Sequence, residues 1–75
     1  MAKSAIKTIW KRIPGEKKRL VLSDIVTKGG VSINTAYRWT TGGRTPLPLY
    51  QQLIAAILSE HTGKDYTALD LFPDN

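Results

Sequence analysis

Three polar side chains in the middle of the chain, Asn34, Tyr37 and Arg38, are of types that can hydrogen-bond to the edges of base pairs. At about 100° per residue, they share one side of a short predicted helix with Thr41, and Ile33 lies on its flank. An asparagine can pair with adenine N6 and N7, an arginine with guanine O6 and N7, and an apolar side chain can contact the thymine methyl group. The spacing therefore predicts a helix whose outer side is suited to major-groove contacts.

The opposite side of the same predicted helix is largely apolar. Ala36 and Trp39 lie close together there, with Ser32 and Thr40 nearby, so this side is expected to face the core. Trp39 could instead be a stacking platform for single-stranded nucleic acid. An indole at helical spacing from an alanine is more typical of a core residue, and we predict that role. The small Ala36 would let the preceding helix approach closely.

Glycines and a serine bound this helix on both sides. Gly30 tolerates positive φ and can end the preceding helix, Val31 is an apolar plug in the turn, and Ser32 is a predicted N-cap. Gly42 and Gly43 then stop the helix. Two helices joined by so short a turn lie at roughly 90–120°, a geometry that lets the second helix project into a groove.

Three groups of residues between positions 30 and 46 carry a resemblance to a known family: Gly30-Val31-Ser32, Thr35-Ala36-Tyr37-Arg38-Trp39, and Gly42 with Arg44 and Pro46. They resemble the helix-turn-helix of the Cro and lambda-repressor-like family, here at about residues 20–41. The ending Leu69-Asp70-Leu71-Phe72-Pro73 is also similar to the family's fifth helix, so the likeness covers most of the chain from about Leu20. Two features depart from the family. The segment before the turn is longer and more basic, and the polar residue that begins the family's second helix is replaced around Leu22-Ser23.

The resemblance implies a five-helix DNA-binding domain, commonly a transcriptional repressor, whose third helix reads operator DNA. By matching positions, it implies that Ile33, Asn34 and Arg38 touch bases. Thr35, Tyr37 and Arg44 would lie where the family touches bases or phosphates. The predicted base-reading residues are Ile33, Asn34, Tyr37 and Arg38, and the predicted phosphate-contacting residues are Lys28, Ser32, Thr35, Thr41 and Arg44.

The charge distribution favours a polyanionic partner. The net charge is +5 and the pI is about 9.8. Residues 1–45 hold ten basic and two acidic side chains, whereas residues 46–75 carry a net charge of −3. Lys28 precedes the turn and Arg44 follows the predicted base-reading helix. Both are therefore expected to lie close to DNA phosphates. The run Lys17-Lys18-Arg19 could be a set of phosphate clamps or a nuclear-localisation patch, but a short charge run is most often a solvated helix face.

The elements that must position these side chains are all helical. Apolar spacing and breakers predict helices over about residues 4–13, 17–28, 33–41, 48–63 and 65–72. The second could instead begin at Asp24 with Ser23 as its cap, and Pro48 could occupy the first turn of the fourth. Tyr66, Leu69 and Phe72 are predicted to share one side of the fifth. We predict an all-α fold, a compact bundle of four to five short helices containing a lambda-repressor-like helix-turn-helix.

Length and composition exclude several classes of protein. The 75 residues fit one domain, 1–75. Without cysteine there is no disulfide, thiolate zinc site or cysteine nucleophile, and the single His61 cannot build a metal site alone. We interpret His61 as a polar residue favourable to a helix C-terminus rather than a pH switch. Asp65 and Asp70 lack an accompanying nucleophile or phosphate loop, so we predict no enzyme, no cofactor, no metal and no small-molecule ligand.

The leading hypothesis is sequence-specific binding of double-stranded DNA by a small transcriptional repressor of phage or mobile-element type. We expect it in the cytoplasm of a bacterial or phage-infected cell, because no apolar run approaches the roughly 20 residues that span a bilayer. A homodimer on two half-sites would extend its specificity, with the fifth helix as the candidate interface. One alternative is a protein-interaction adaptor that uses the acidic, apolar C-terminal segment. Another is membrane-surface attachment through the stripe Ile6, Ile9, Trp10 and Ile13, which the core is expected to need.

Overall fold

Residues 5–73 are described by the computed structural model, and they form five helices with no β-strand in that range. Residues 1–4 and 74–75, with the predicted helix start at Ser4 and both ends of the predicted 1–75 domain, lie outside the described residues. The predicted all-helical fold is confirmed. The helices are α1 (Ile6–Lys11), α2 (Gly15–Gly29), α3 (Ile33–Thr40), α4 (Pro48–Thr62) and α5 (Ala68–Leu71).

The second helix is longer than the sequence predicted. It begins at Gly15, two residues before the expected start, with Glu16 in its first turn, where the helix dipole favours a carboxylate. Ser23 is exposed in mid-helix, so the alternative start capped by Ser23 is wrong. The uninterrupted helix keeps Val21 and Ile25 on one stripe, and both are fully buried.

The fifth helix is shorter than predicted and turns a different side inward. It begins after Thr67 because Thr67 and Asp70 cap each other: Thr67 Oγ1 accepts from the Asp70 N–H at 3.2 Å, and Asp70 Oδ2 accepts from the Thr67 N–H at 2.9 Å. The start at Ala68 sets which side chains of this one-turn helix point inward. Leu71 is buried and Leu69 is 66% exposed. The prediction that Tyr66, Leu69 and Phe72 lie on one side of the fifth helix is therefore wrong for Leu69.

The core is built around α2 and α4, which pack against each other. Near one end of the pair, Gly29 lies against Tyr50 and Leu53; we call this the Tyr50 end. Near the other, Asp24 pairs with His61; we call this the His61 end. The buried apolar side chains come from all five helices and their connections: Ile6, Trp10, Ile13, Val21, Ile25, Ala36, Trp39, Ile54, Ala55, Ile57, Leu58, Leu71 and Phe72.

The apolar stripe of α1 is part of this core. Ile6, Trp10 and Ile13 are buried, Ile9 packs against them, and the Lys18 ammonium lies 5.8 Å from the centre of the Trp10 ring. A stripe already covered by protein cannot also lie in a membrane interface, so attachment through α1 as it is folded here is wrong. Among residues 5–73, no helix is both long and apolar enough to cross a bilayer.

Candidate nucleic-acid interface

A three-residue turn sets the position of α3 after α2. Gly30 has φ +66°, in the left-handed region, and its N–H donates to the Val26 carbonyl, which ends α2. Ser32 is the N-cap of α3, as predicted, because its Oγ accepts a hydrogen bond from the Thr35 N–H at 3.2 Å. The chain therefore forms helix, turn and helix with each junction closed by a local hydrogen bond.

The inner side of α3 is buried, as the sequence predicted, but Ser32, which was expected near that side, is exposed. Ala36 and Thr40 have no exposed surface, and Trp39 is 6% exposed. The Trp39 ring lies 4.9 Å from the Tyr50 ring of α4, centre to centre, with a tilt of 36°. The Thr40 hydroxyl is satisfied within the helix because it donates to the carbonyls of Ala36 and Tyr37. Trp39 is thus a core residue and cannot serve as a stacking platform for single strands.

The outer side of α3 exposes all four predicted base-reading residues. Asn34 and Arg38 are exposed, Ile33 is 53% exposed and Tyr37 is 56% exposed. Within residues 5–73, neither Asn34 nor the Arg38 guanidinium has a side-chain hydrogen bond or ion pair. These four side chains are therefore available together to an external partner.

The hydroxyl groups predicted to contact phosphates differ in what they can donate. Ser32 Oγ and Thr35 Oγ1 lie 3.0 Å apart, so one of them donates to the other and one hydroxyl hydrogen remains free. The Thr41 hydroxyl donates to the Tyr37 carbonyl at 2.8 Å. A phosphate oxygen needs a donor, so the Ser32 and Thr35 pair can offer one directly, whereas Thr41 would first have to break its internal bond.

The two predicted phosphate-contacting cations are also unequal. Arg44 is exposed and lines a hollow of about 380 Å³ with Arg38, Thr35, Trp39 and others, so two arginines border one concavity beside α3. Lys28 lies 3.8 Å from the Glu60 carboxylate, in an ion pair whose side chains are both at least half exposed. Arg44 is thus the freer of the two cations, while Lys28 would have to leave Glu60 or be shared with it.

Gln51 anchors the connection that carries Arg44, and sequence reasoning missed it. This side chain is 3% exposed, and its Nε2 donates to the buried Pro46 carbonyl at 2.8 Å. The Gly43 and Arg44 N–H groups donate to the Arg38 carbonyl, which ties the start of the same connection to α3. An available signal was the position of Gln51 three, four and seven residues before Ile54, Ala55 and Leu58, which makes it the polar member of an apolar stripe.

A second polar cluster lies away from α3, at the His61 end of the α2–α4 pair. Asp24 Oδ2 is 2.8 Å from His61 Nε2, and the Lys17 ammonium donates to the His61 carbonyl at 3.0 Å. The hydrogen bond from His61 holds the pKa of Asp24 below its ordinary value of 3.8, against an opposing contribution from desolvation. We interpreted His61 as a helix-end residue, and the structure adds a partner on another helix. The Lys17 ammonium therefore binds at the His61 end of the molecule and not beside α3.

The chain has no match among protein-family models, curated proteins or solved structures.

Proposed function

We propose that this protein binds double-stranded DNA sequence-specifically, as a small transcriptional repressor of the Cro and lambda-repressor-like type. The observation that carries the proposal is the exposure of Ile33, Asn34, Tyr37 and Arg38 on one side of a helix whose other side is buried. Such a regulator of phage or mobile-element type would act in the cytoplasm of a bacterial or phage-infected cell.

The dimensions of α3 support a duplex as the partner. With its side chains an α-helix is about 10–12 Å across, and the major groove, about 12 Å wide, admits one such helix. The eight residues of α3 give it a length of about 12 Å. In this mode Asn34 pairs with an adenine, Arg38 pairs with a guanine, and Ile33 packs on a thymine methyl group. Arg44, together with the hydroxyl shared by Ser32 and Thr35, contacts the phosphates that flank the groove.

The C-terminal segment offers little for the competing adaptor hypothesis. Leu71 and Phe72 are buried, which leaves Leu69 as the exposed large apolar side chain of α5. Because Leu71 and Phe72 are buried, a homodimer interface on α5 would have Leu69 as its large apolar contact. The homodimer itself stays a prediction. The exposed groups of α5 therefore give the adaptor hypothesis less support than those of α3 give DNA binding.

The proposal is tested by selecting bound sites from a random duplex pool and then measuring affinity for the selected and a scrambled duplex. Asn34→Ala and Arg38→Ala are each expected to reduce the preference for the selected duplex by about 1–3 kcal/mol, because each removes one bidentate base contact. Lys64→Ala is the charge-matched control, since Lys64 follows α4 at the His61 end. It should leave the preference unchanged.

Two results would overturn the proposal. One is the absence of duplex binding by the wild-type protein at low salt. The other is a double variant, Asn34→Ala with Arg38→Ala, that keeps the wild-type preference. Recovery of a protein partner alongside the first result would favour the adaptor hypothesis.

A further inference from the structure

Lys7 of α1 packs directly on the residue where the connection after α3 turns. Gly42 has φ +84°, and a Cβ atom built on it would lie 3.2 Å from Cβ and 3.6 Å from Cδ of Lys7. The separation of 3.2 Å is tight, so the stem of Lys7 crosses Gly42 at close range because Gly42 has no side chain. The α1 helix and α3 are also in contact.

The ammonium of Lys7 is available to a partner. Lys7 is exposed, and within residues 5–73 it has no ion pair; the ion pairs there join Lys28 to Glu60 and Asp24 to His61. A lysine whose methylene groups lie on protein while its charge stays in water presents that charge at a defined place. That place is two residues beyond the end of α3 and two residues before Arg44.

The course of α1 distinguishes Lys7 from the other cations of the first half of the chain. Ile9, Arg12 and Ile13 line a hollow of about 230 Å³ with Lys17, Thr62 and Lys64, at the His61 end. The helix therefore runs from the side of α3 toward the opposite end of the molecule. Of the two lysines within α1, Lys7 lies against the connection after α3, whereas Lys11 is one helical turn further along.

We propose that Lys7 is a phosphate-contacting residue that extends the DNA interface from α3 and Arg44 onto α1. The inference rests on the proposed DNA binding and adds a contact to the sugar-phosphate backbone on the side of Gly42. Because a phosphate carries no sequence information, Lys7 contributes to affinity and to its salt dependence but not to base preference.

A purely structural role for Lys7 makes a different prediction. Its methylene groups lie against Gly42, and a cation near the C-terminus of a helix is favourable to the helix dipole. Either effect would alter thermal stability without altering the salt dependence of DNA binding. Lys7→Met separates the roles because methionine keeps most of the apolar stem and removes the charge. Lys7→Arg restores the charge, and Lys64→Met removes one charge at the His61 end.

The experiment measures affinity for the selected duplex at several salt concentrations and the thermal midpoint of each variant. For Lys7→Met, the slope of log affinity against log salt should become shallower by about 0.9, the value for one phosphate. The ratio of the wild-type affinity to the Lys7→Met affinity should then fall roughly threefold between about 50 and 200 mM salt. The preference over a scrambled duplex should not change. Lys7→Arg and Lys64→Met should keep the wild-type slope.

The outcomes separate the two proposals. Failure of the wild-type protein to bind any duplex removes the DNA-binding function itself. Wild-type binding together with an unchanged slope for Lys7→Met overturns the role of Lys7 alone, as does an equal loss of slope for Lys64→Met. If Lys7→Met does not fold, Lys7→Gln is measured in its place and the same slopes decide.

Discussion

Gln51 is a buried amide whose hydrogen bond to Pro46 helps to place Arg44 beside α3. Its Nε2 donates to the Pro46 carbonyl, and both residues are buried. Leaving a buried acceptor without its donor costs more than a typical hydrogen bond contributes, because water does not replace the lost partner. Gln51 thus fixes the Pro46 part of the connection between α3 and α4, while the Gly43 and Arg44 N–H groups tie its start to α3.

We predict that Gln51→Met lowers the free energy of unfolding by about 1–3 kcal/mol. Methionine has a similar length but no donor, so the Pro46 carbonyl is left unsatisfied. Urea denaturation of wild type and variant measures the difference. Gln52→Met is the matched control, because Gln52 is the exposed neighbour on the same helix. An equal effect of both substitutions would show that the hydrogen bond to Pro46 is not the cause.

The α3 helix depends on its ends because it has only eight residues. Isolated helices of this length are marginal in water. Ser32 satisfies one N–H group at its start, while the N–H groups of Gly43 and Arg44 close its end on the Arg38 carbonyl. The exposed side of α3 is therefore held by local caps as well as by the buried Ala36 and Trp39.

We predict that Ser32→Ala lowers the free energy of unfolding by about 1 kcal/mol, the usual cost of losing an N-cap. Ser23→Ala is the matched control. Ser23 is exposed within α2, where alanine has the better helix propensity, so this change should be neutral or slightly stabilising. Thermal and urea denaturation of the two variants test the difference. A larger loss for Ser23→Ala would contradict the capping roles that we assign.

Across the whole molecule, α2 and α4 are joined near one end by a pair of titratable side chains. The carboxylate of Asp24 and the ring of His61 come from residues 37 positions apart. Because an ionised carboxylate only accepts hydrogen bonds, His61 Nε2 carries the proton. This bond lowers the pKa of Asp24 in the folded protein, so the ionised form stabilises the fold.

We predict that Asp24→Asn lowers the thermal midpoint near neutral pH and that the difference from wild type shrinks in acid. A folded-state pKa below 3.8 means that the contribution is present above pH 3.8 and is lost as the pH falls through the lower, folded value. Thermal denaturation at a series of pH values measures this. Asp65→Asn, which changes an exposed acid before α5, is the control, and it should change the thermal midpoint little near neutral pH. A difference for Asp24→Asn that persists unchanged in strong acid would contradict the assignment.

The sequence alone determined which side of α3 faces the core and where that helix begins and ends. Ala36 and Trp39 were predicted inside, Asn34 and Arg38 outside, and Ser32 at the cap. These features follow from helical period and from hydrogen bonds within a few residues, both of which are local. The same local chemistry bounded α4 at Pro48 and Gly63.

Only the tertiary structure decided which distant residues meet. The contacts of Gln51 with Pro46, Asp24 with His61 and Lys7 with Gly42 depend on how helices and connections are placed against one another. The outward turn of Leu69 depends on the Thr67 cap and on which neighbours cover α5. Helical periodicity gives the direction in which each side chain leaves the axis of its helix. Packing between helices and connections decides which distant residue that side chain contacts.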